Sequence, residues 1–294
     1  MKITVENKQS IRKYTYEELL SKQGSSVVGK AIKCSTDDIL VVDLGNDLLG
    51  EIHITDFEDT NKETPKVALI AKIGQPVEAI VEAVYGDKVI LNRARLQKEY
   101  KTNILDKEFK PGMVLDTEVY SIAPFGVFVE LGKGVLALLP IDNIAVSRLT
   151  NMKDVFYKGK PIKVVYKGKL NGLYVVSHRE LLGTWAENCA DFNEGEIVQG
   201  IVRDVKSYGA FIEIAPNLSG LADLPDFPLS IGDSVSVYIK RFIPDKMKIK
   251  LHVINVTDIP YEIKYNYKIQ DGTIRKWVYN PTSQTEGKKI ETIF

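Results

Sequence analysis

An internal repeat is the feature that most constrains how this chain can fold. The segment GMVLDTEVYSIAPFGVFVEL, which begins at Gly112, matches GEIVQGIVRDVKSYGAFIEI, which begins at Gly195, in a single register. Self-similarity at a fixed offset indicates one supersecondary unit used more than once. The matched positions are Gly112 with Gly195, Val119 with Val202, Ile122 with Val205, Phe125 with Tyr208, Gly126 with Gly209 and Phe128 with Phe211.

Each copy continues with further short β-branched segments that are separated by glycine. The later strands are GVLALLP, GKPIKVVYKG and LYVVSH in one copy, and GLADLP, GDSVSVYIKRF and MKIKLH in the other. Five strand-like segments of this kind in roughly 70 residues predict a small β-barrel, because closure removes the exposed edges of a short meander. The fold class predicted from this pattern is therefore all-β.

A weaker copy precedes these two. The segment from Gly24 to Phe57 keeps the paired glycines of the opening, an alternating strand and a Gly-led third strand, and Ile73 to Arg95 supplies the last two strands. Its second strand, ILVVDL, has Val41 where the other copies have phenylalanine, and Asp38 where they have Phe125 and Tyr208. The first repeat thus has the barrel pattern without the aromatic rings.

The second strand of each later copy places a phenylalanine on the outer face. A period of two puts alternate residues on opposite faces, so Phe128 and Phe211 point away from the core. An exposed ring can stack on any base of a single-stranded nucleic acid, at about 1–3 kcal/mol per base. The residues predicted to face the core are Val127, Val129 and Leu131 in one copy, and Ala210, Ile212 and Ile214 in the other.

Basic residues accompany the rings, and Lys248 and Lys250 alternate with apolar residues so that they share the outer face. Cations beside exposed rings are typical of surfaces that follow a nucleic-acid backbone. The candidate RNA-binding residues are Phe125, Phe128, Tyr208, Phe211, Lys163, Lys240, Arg241, Lys248, Lys250 and His53.

The pattern from the opening glycines through [FY]-G-[VA]-F-[VI]-E-[LI] resembles the S1 domain of the bacterial ribosomal protein S1 family, over roughly residues 24–254. The resemblance implies three tandem five-stranded OB-fold barrels and binding of single-stranded RNA, including mRNA. In that family two aromatic residues, a histidine in the third strand and a basic residue in the fifth contact RNA. The histidine position falls on His53 in repeat one, on Ala137 in repeat two and on Asp223 in repeat three, so no repeat has the full set.

Short helices and a hairpin are predicted outside the barrels. Thr15 with Glu18, and Ser177 with Glu180, have the spacing of capping boxes, and Asp271-Gly272 indicates a hairpin turn between 260 and 279. The predicted divisions are an extension with a short helix (1–23), repeat one (24–95), a linker (96–108), repeat two (109–178), a linker helix (179–192), repeat three (193–254), and a C-terminal hairpin and tail (255–294).

Charge is unevenly distributed although the formal net charge is zero. Residues 24–95 include 8 basic and 12 acidic residues, residues 109–182 include 10 and 6, and residues 193–254 include 7 and 8. Any contact with a polyanion is therefore expected on repeat two or on local patches. Two distant cysteines, no apolar run long enough to span a membrane and no signal-peptide pattern predict a cytoplasmic protein without a membrane partner.

Motifs for catalysis are missing from the sequence, so we expect no enzyme activity, no metal, no cofactor and no small-molecule substrate. It has three histidines and no phosphate-binding loop of the GxxxxGK[ST] type. The function expected is single-stranded RNA binding in translation, with mRNA or the small ribosomal subunit. The alternatives are an RNA-binding regulator of translation or RNA turnover off the ribosome, and a protein-interaction scaffold built from the same barrels.

Overall fold

The computed structural model of the protein describes residues 3–4, 11–60, 63–147, 152–261, 264–280 and 289–294. Three five-stranded barrels follow one another along the chain, which confirms the predicted fold class of tandem OB-fold barrels. Two compact units result. One contains the first barrel, and the other contains the second and third barrels with the C-terminal residues.

The first barrel closes in the strand order β2-β3-β4-β6-β5. Strands β4 and β6 pair in parallel, and the other four pairs of neighbouring strands are antiparallel. Helix α1 (Tyr16–Ser21) begins at the predicted capping box of Thr15 and Glu18, and α2 (Lys66–Ile70) joins β4 to β5. The strands in this part of the chain are β1 (Ile3–Thr4), β2 (Ser26–Cys34), β3 (Ile39–Asp43), β4 (Leu49–His53), β5 (Pro76–Tyr85) and β6 (Lys88–Asn92).

The second barrel repeats this order, and β1 adds to its first strand in parallel. Its strands are β7 (Val114–Ala123), β8 (Gly126–Glu130), β9 (Leu136–Pro140), β10 (Pro161–Leu170) and β11 (Leu173–Ser177). The predicted inward residues Val127, Val129 and Leu131 are all fully buried, so the period of two gives the correct core face.

The third barrel has the order β12-β13-β14-β16-β15. The inward residues Ala210, Ile212 and Ile214 are buried as predicted, and they pack in one core with side chains from the other four strands. The strands are β12 (Ile197–Lys206), β13 (Gly209–Ala215), β14 (Leu218–Asp223), β15 (Ser234–Ile243) and β16 (Lys248–Val256).

Short helical segments connect the barrels. After β6 come α3 (Arg93–Tyr100), capped by Asn92, a π-helical turn (Lys101–Leu105) and α4 (Asp106–Glu108). After β11 come a 3-10 turn (Arg179–Leu182) and α5 (Trp185–Cys189). Further 3-10 turns are Ile54–Asp56, Ile141–Asn143, Met152–Asp154 and Pro244–Lys246.

The predicted capping box at Ser177 and Glu180 is wrong. Ser177 ends β11, and the Glu180 carboxylate is fully buried, where it accepts a hydrogen bond from the Thr292 hydroxyl at 2.6 Å. The capping box that forms is at Thr184, whose side chain accepts from the backbone of Glu187. The α-helix therefore begins at Trp185, after a 3-10 turn over Arg179–Leu182.

The C-terminal hairpin is present, but its strands differ from the predicted ones. They are β17 (Lys276–Val278) and β18 (Glu291–Ile293), with 281–288 outside the described residues. The Asp271-Gly272 segment does not form a hairpin, because the start of barrel two takes its backbone groups. Val114 N–H donates to the Gly272 carbonyl, and Ile274 N–H donates to the Gly112 carbonyl. Long-range pairing thus replaces the local turn.

Candidate nucleic-acid interface

The outer face of the third barrel carries a row of four side chains across four neighbouring strands. Phe211 of β13 lies opposite Leu221 of β14, which lies opposite Lys250 of β16. Lys250 in turn lies opposite Arg241 of β15. Residues directly opposite each other on neighbouring strands point to the same face. We call these four residues the third-barrel row; it combines an aromatic ring, an aliphatic side chain and two cations.

A second aromatic ring accompanies the row. The Tyr208 and Phe211 rings meet edge to face with centroids 6.4 Å apart, and Tyr208 is 65% exposed. In barrel two, Phe125 and Phe128 form the same arrangement at 6.1 Å, and Phe125 is 57% exposed. Phe128 and Phe211 are both half-buried. Barrels two and three therefore each have one exposed ring that packs edge to face against a half-buried ring.

Glycine next to each ring pair is required by strand packing. A Cβ added to Gly209 would lie 2.5 Å from the carbonyl oxygen of Ala222, and φ of Gly209 is +152°. The glycine thus allows β13 to approach β14 closely. A Cβ on Gly126 would clash with a backbone carbonyl of β9 in the same way.

The cations of the third barrel are available for contact. Lys248, Lys250 and Arg241 are exposed, and within the described part of the chain no hydrogen bond, ion pair or ring contact engages their side-chain cations. Lys240 is different, because its ammonium lies 3.2 Å from the Asp223 carboxylate. Unpaired cations next to a stacking ring suit a phosphodiester backbone, whose charge they neutralise.

The corresponding row of barrel two has no cation. Phe128 occupies the ring position, and Leu138 contacts the glycine of this barrel as Leu221 does in barrel three. Leu138 lies opposite Val175, and Val175 lies opposite Gly168. The two positions that hold Lys250 and Arg241 in barrel three are therefore uncharged in barrel two.

Lys163 lies apart from this row. Its side chain is 14% exposed and pairs with the carboxylate of Asp116 on the neighbouring strand, and its backbone N–H donates to the Tyr267 hydroxyl at 3.1 Å. The ammonium is thus already neutralised within the barrel.

The first barrel has neither rings nor cations in its row. Val41, which is buried, lies opposite Glu51, and Glu51 lies opposite Ile90. Glu51 forms an ion pair with Lys88 at 3.1 Å. His53 is exposed at the end of β4, but its Nδ1 is 2.8 Å from the Thr55 hydroxyl in the following 3-10 turn.

The structure also corrects the position that matches His53 in repeat two. His53 lies opposite Ile39 of β3, two residues before Val41. In repeat two, the residue two positions before Phe128 is Gly126. Gly126 packs against the residues at the end of β9, including Pro140. Ala137 is fully buried and faces the core. Pro140, not Ala137, therefore takes the histidine position, while Asp223 in repeat three agrees with the sequence alignment.

Sequence reasoning missed a buried ion pair on the same strand as Phe211. The period of two places Glu213 on the outer face, yet it is 2% exposed, and its carboxylate accepts from Arg203 Nε at 2.6 Å. Burial raises the pKa of Glu213, while the Arg203 charge and hydrogen bonds from Arg203 and Ser147 oppose the shift. The exposed part of this strand therefore ends at Phe211. No local signal in the sequence marks Glu213 as covered.

Comparison with known proteins relates one barrel to a known domain family. Residues 108–168, in barrel two, match the S1 RNA binding domain family. The small ribosomal subunit protein bS1 of Rhizobium meliloti is 24% identical over 242 residues, which are 76% of this chain and 41% of that protein. The bS1 protein of Leuconostoc lactis is 30% identical over 165 residues, 51% of this chain and 38% of that protein.

A solved structure of a multidomain protein with nucleic acid binding domains from Streptococcus pneumoniae aligns over 80% of this chain and 75% of its own, at 13% identity and a TM-score of 0.26. The chain thus consists of three tandem five-stranded barrels of the OB-fold type, and the second of them contains the segment that matches the S1 domain family. Its curated relatives are bacterial ribosomal protein S1, which confirms the family resemblance seen in the sequence. The chain spans less than half the length of these relatives. No helix among the described residues is long and apolar enough to cross a membrane.

Proposed function

We propose that this protein binds single-stranded RNA, without catalysis and with no metal or other cofactor, through the outer face of its third barrel. The observation that carries the proposal is the third-barrel row, where Phe211 shares one surface with Lys250 and Arg241. An RNA strand that stacks a base on Phe211 and continues across the row would bring its following phosphates to Lys250 and Arg241, which lie two and three strands away. Stacking contributes about 1–3 kcal/mol per base and tolerates any sequence, so the substrate class is unstructured RNA.

Barrel two contributes a weaker contact through Phe125 and Phe128, because its row has no cation. Two weak sites on one chain reinforce each other, since binding at the first raises the effective RNA concentration at the second. Tyr208, Lys240 and Lys248 belong to the third-barrel contact. Lys163 and His53 contribute least, because each is already engaged within its barrel.

The test is fluorescence anisotropy with a labelled oligouridylate and the full chain. We expect Phe211→Ala to weaken binding about 5- to 150-fold, the range that corresponds to one stacked base. Phe128→Ala is the matched control, since it removes the same ring from a row without cations, and it should have a smaller effect. If the Phe211→Ala/Phe128→Ala double variant binds RNA with wild-type affinity, base stacking on these rings is not part of the binding mechanism.

The cations have a separate signature. Each phosphate contact to single-stranded RNA adds about 0.7 to the slope of log K against log salt concentration. We therefore expect Arg241→Gln and Lys250→Gln each to reduce this slope by about 0.7. An unchanged slope in both variants would show that the phosphates lie elsewhere.

We further propose that the RNA is mRNA and that the protein acts in translation, in the cytoplasm and with the small ribosomal subunit. The names of the bS1 relatives support this step. Co-sedimentation with purified small subunits at several salt concentrations tests it. RNA binding without co-sedimentation would instead support a regulator of translation or RNA turnover off the ribosome.

The first barrel favours a contact with protein rather than RNA. Its row consists of Val41, Glu51 and Ile90, and repeat one has four more acidic than basic residues. Like charge repels phosphate, so this barrel suits a scaffold role beside the RNA-binding barrels. Charge reversal at Glu51 should leave RNA affinity unchanged. A large loss of RNA affinity in that variant would contradict the assignment.

A further inference from the structure

A second outward row lies next to the third-barrel row. Tyr238 of β15 lies directly opposite His252 of β16, and His252 lies two residues beyond Lys250 on the same strand. Tyr238 is 39% exposed and His252 is exposed. Since residues two apart on a strand share a face, this pair belongs to the same surface as Phe211.

Neither ring has a structural task in the protein. Their backbones pair in the sheet, but among the described residues no hydrogen bond, ion pair or ring contact engages the side chain of Tyr238 or His252. A Cβ added to Gly195 would lie 4.0 Å from the Tyr238 hydroxyl, so the glycine leaves this edge of the ring clear on its side. An exposed pair of planar rings on opposite strands, with no partner of its own, offers a flat surface for a base.

The carboxylates near the pair already have partners within the barrel. Glu194 accepts from Phe242 N–H, and Glu196 accepts from Asn193. Asp223 lies opposite His252 on β14, but its carboxylate is paired with the ammonium of Lys240 at 3.2 Å. Lys250 and Arg241 lie between Phe211 and Tyr238 on the barrel surface. A strand that reached both aromatic sites would thus pass over both unpaired cations.

We propose that Tyr238 and His252 form a second base-binding position on the third barrel, which rests on the proposed RNA binding by Phe211. The path from Phe211 to Tyr238 crosses three strand spacings, roughly 15 Å with the offset along the strand. A strand of about four nucleotides or more is therefore needed to occupy both positions. The third barrel then binds an extended segment rather than a single base.

The experiment measures the affinity of the full chain for oligouridylates of eight and of two nucleotides, by anisotropy or by competition. We expect Tyr238→Ala and His252→Ala to weaken binding of the octamer about fivefold or more, with the dinucleotide unaffected, and Tyr238→Phe to bind as the wild type does. Tyr85→Ala is the matched control, because Tyr85 is a 69% exposed tyrosine on barrel one, and it should have no effect.

The outcomes separate this proposal from the function on which it rests. If Phe211→Ala weakens octamer binding while Tyr238→Ala and His252→Ala bind as the wild type does, the second position is wrong and the function stands. Equal losses with the octamer and the dinucleotide would also overturn it, because only the octamer is long enough to occupy both positions at once. If the wild type binds neither RNA, the proposed function and the second position both fall.

Discussion

A fall in pH should destabilise the unit that contains barrels two and three, because it protonates the buried residue His178. The imidazole is fully buried, with Nδ1 2.9 Å from the Ile144 carbonyl oxygen and Nε2 3.1 Å from the Tyr267 hydroxyl. A carbonyl only accepts, so Nδ1 carries the proton. The Tyr267 oxygen accepts from Lys163 N–H, which leaves its own proton for Nε2. The site therefore holds a neutral imidazole.

The size of the effect follows from the pKa of His178. Burial lowers this pKa to about 4, although the Ile144 carbonyl and the Glu180 carboxylate act in the opposite direction. In the unfolded chain the value is about 6.5. Because the folded value is the lower one, the stability is fully present above about pH 6.5 and is lost as the pH falls towards 4. Between pH 7.5 and pH 5 the loss is about 2 kcal/mol.

Urea unfolding followed by circular dichroism at a series of pH values measures this loss. His178→Gln should be less stable than the wild type at pH 7.5, because Gln cannot reproduce both ring hydrogen bonds. Its free energy of unfolding should nevertheless change much less than that of the wild type between pH 7.5 and pH 5. Parallel pH profiles for the two proteins would refute the reasoning, since the titrating group would then not be His178.

Three substitutions test the packing around the interface, each by urea unfolding. Arg203→Met should cost about 3–5 kcal/mol, because it leaves the buried carboxylate of Glu213 without its cation, and a second change of Glu213→Leu should recover most of the loss. Gly209→Ala should cost about 1–3 kcal/mol by forcing β13 away from Ala222, so a neutral result would contradict the close approach. Thr184→Ala should cost about 1 kcal/mol, and no change would mean that the cap is not needed.

Sequence periodicity predicts the barrel strands well, because the alternation of residues within one strand does not depend on its neighbours. Alternation alone places Ile212 inside and Phe211 outside, and the repeat shows that Phe128 does the same. The cations Lys248 and Lys250 follow the same rule, since both lie on the outer face of β16. The sequence thus predicts which residues of a strand face the core and which face outwards.

The third-barrel row cannot be predicted from the sequence in this way. Lys250 meets Leu221 only through the parallel pairing of β14 with β16, and it meets Arg241 only after a bulge between Ile239 and Arg241 shifts the register. Bulges depend on tertiary packing and leave no reliable local signal. The comparison of cations among the three barrels therefore required the structure.

The sequence also does not show which residues are covered or hydrogen-bonded by segments that lie far away along the chain. Alternation predicts an exposed Glu213, but Ser147 from barrel two bonds to its carboxylate and Tyr261 lies near by. Asp271-Gly272 has a good hairpin signal, but the strand that begins barrel two competes for its backbone groups. In both cases a long-range contact overrides a local preference.

The central claim is that the third barrel, and chiefly the surface around Phe211, Arg241 and Lys250, contacts single-stranded RNA. Photo-crosslinking of the full chain to an oligonucleotide that contains 4-thiouridine, with mass-spectrometric mapping of the crosslinked peptides, tests this directly. The account predicts crosslinks concentrated in β13 and in β15–β16, with fewer in β8 of barrel two. Crosslinks confined to the first barrel, or no crosslinks in the third, would contradict it.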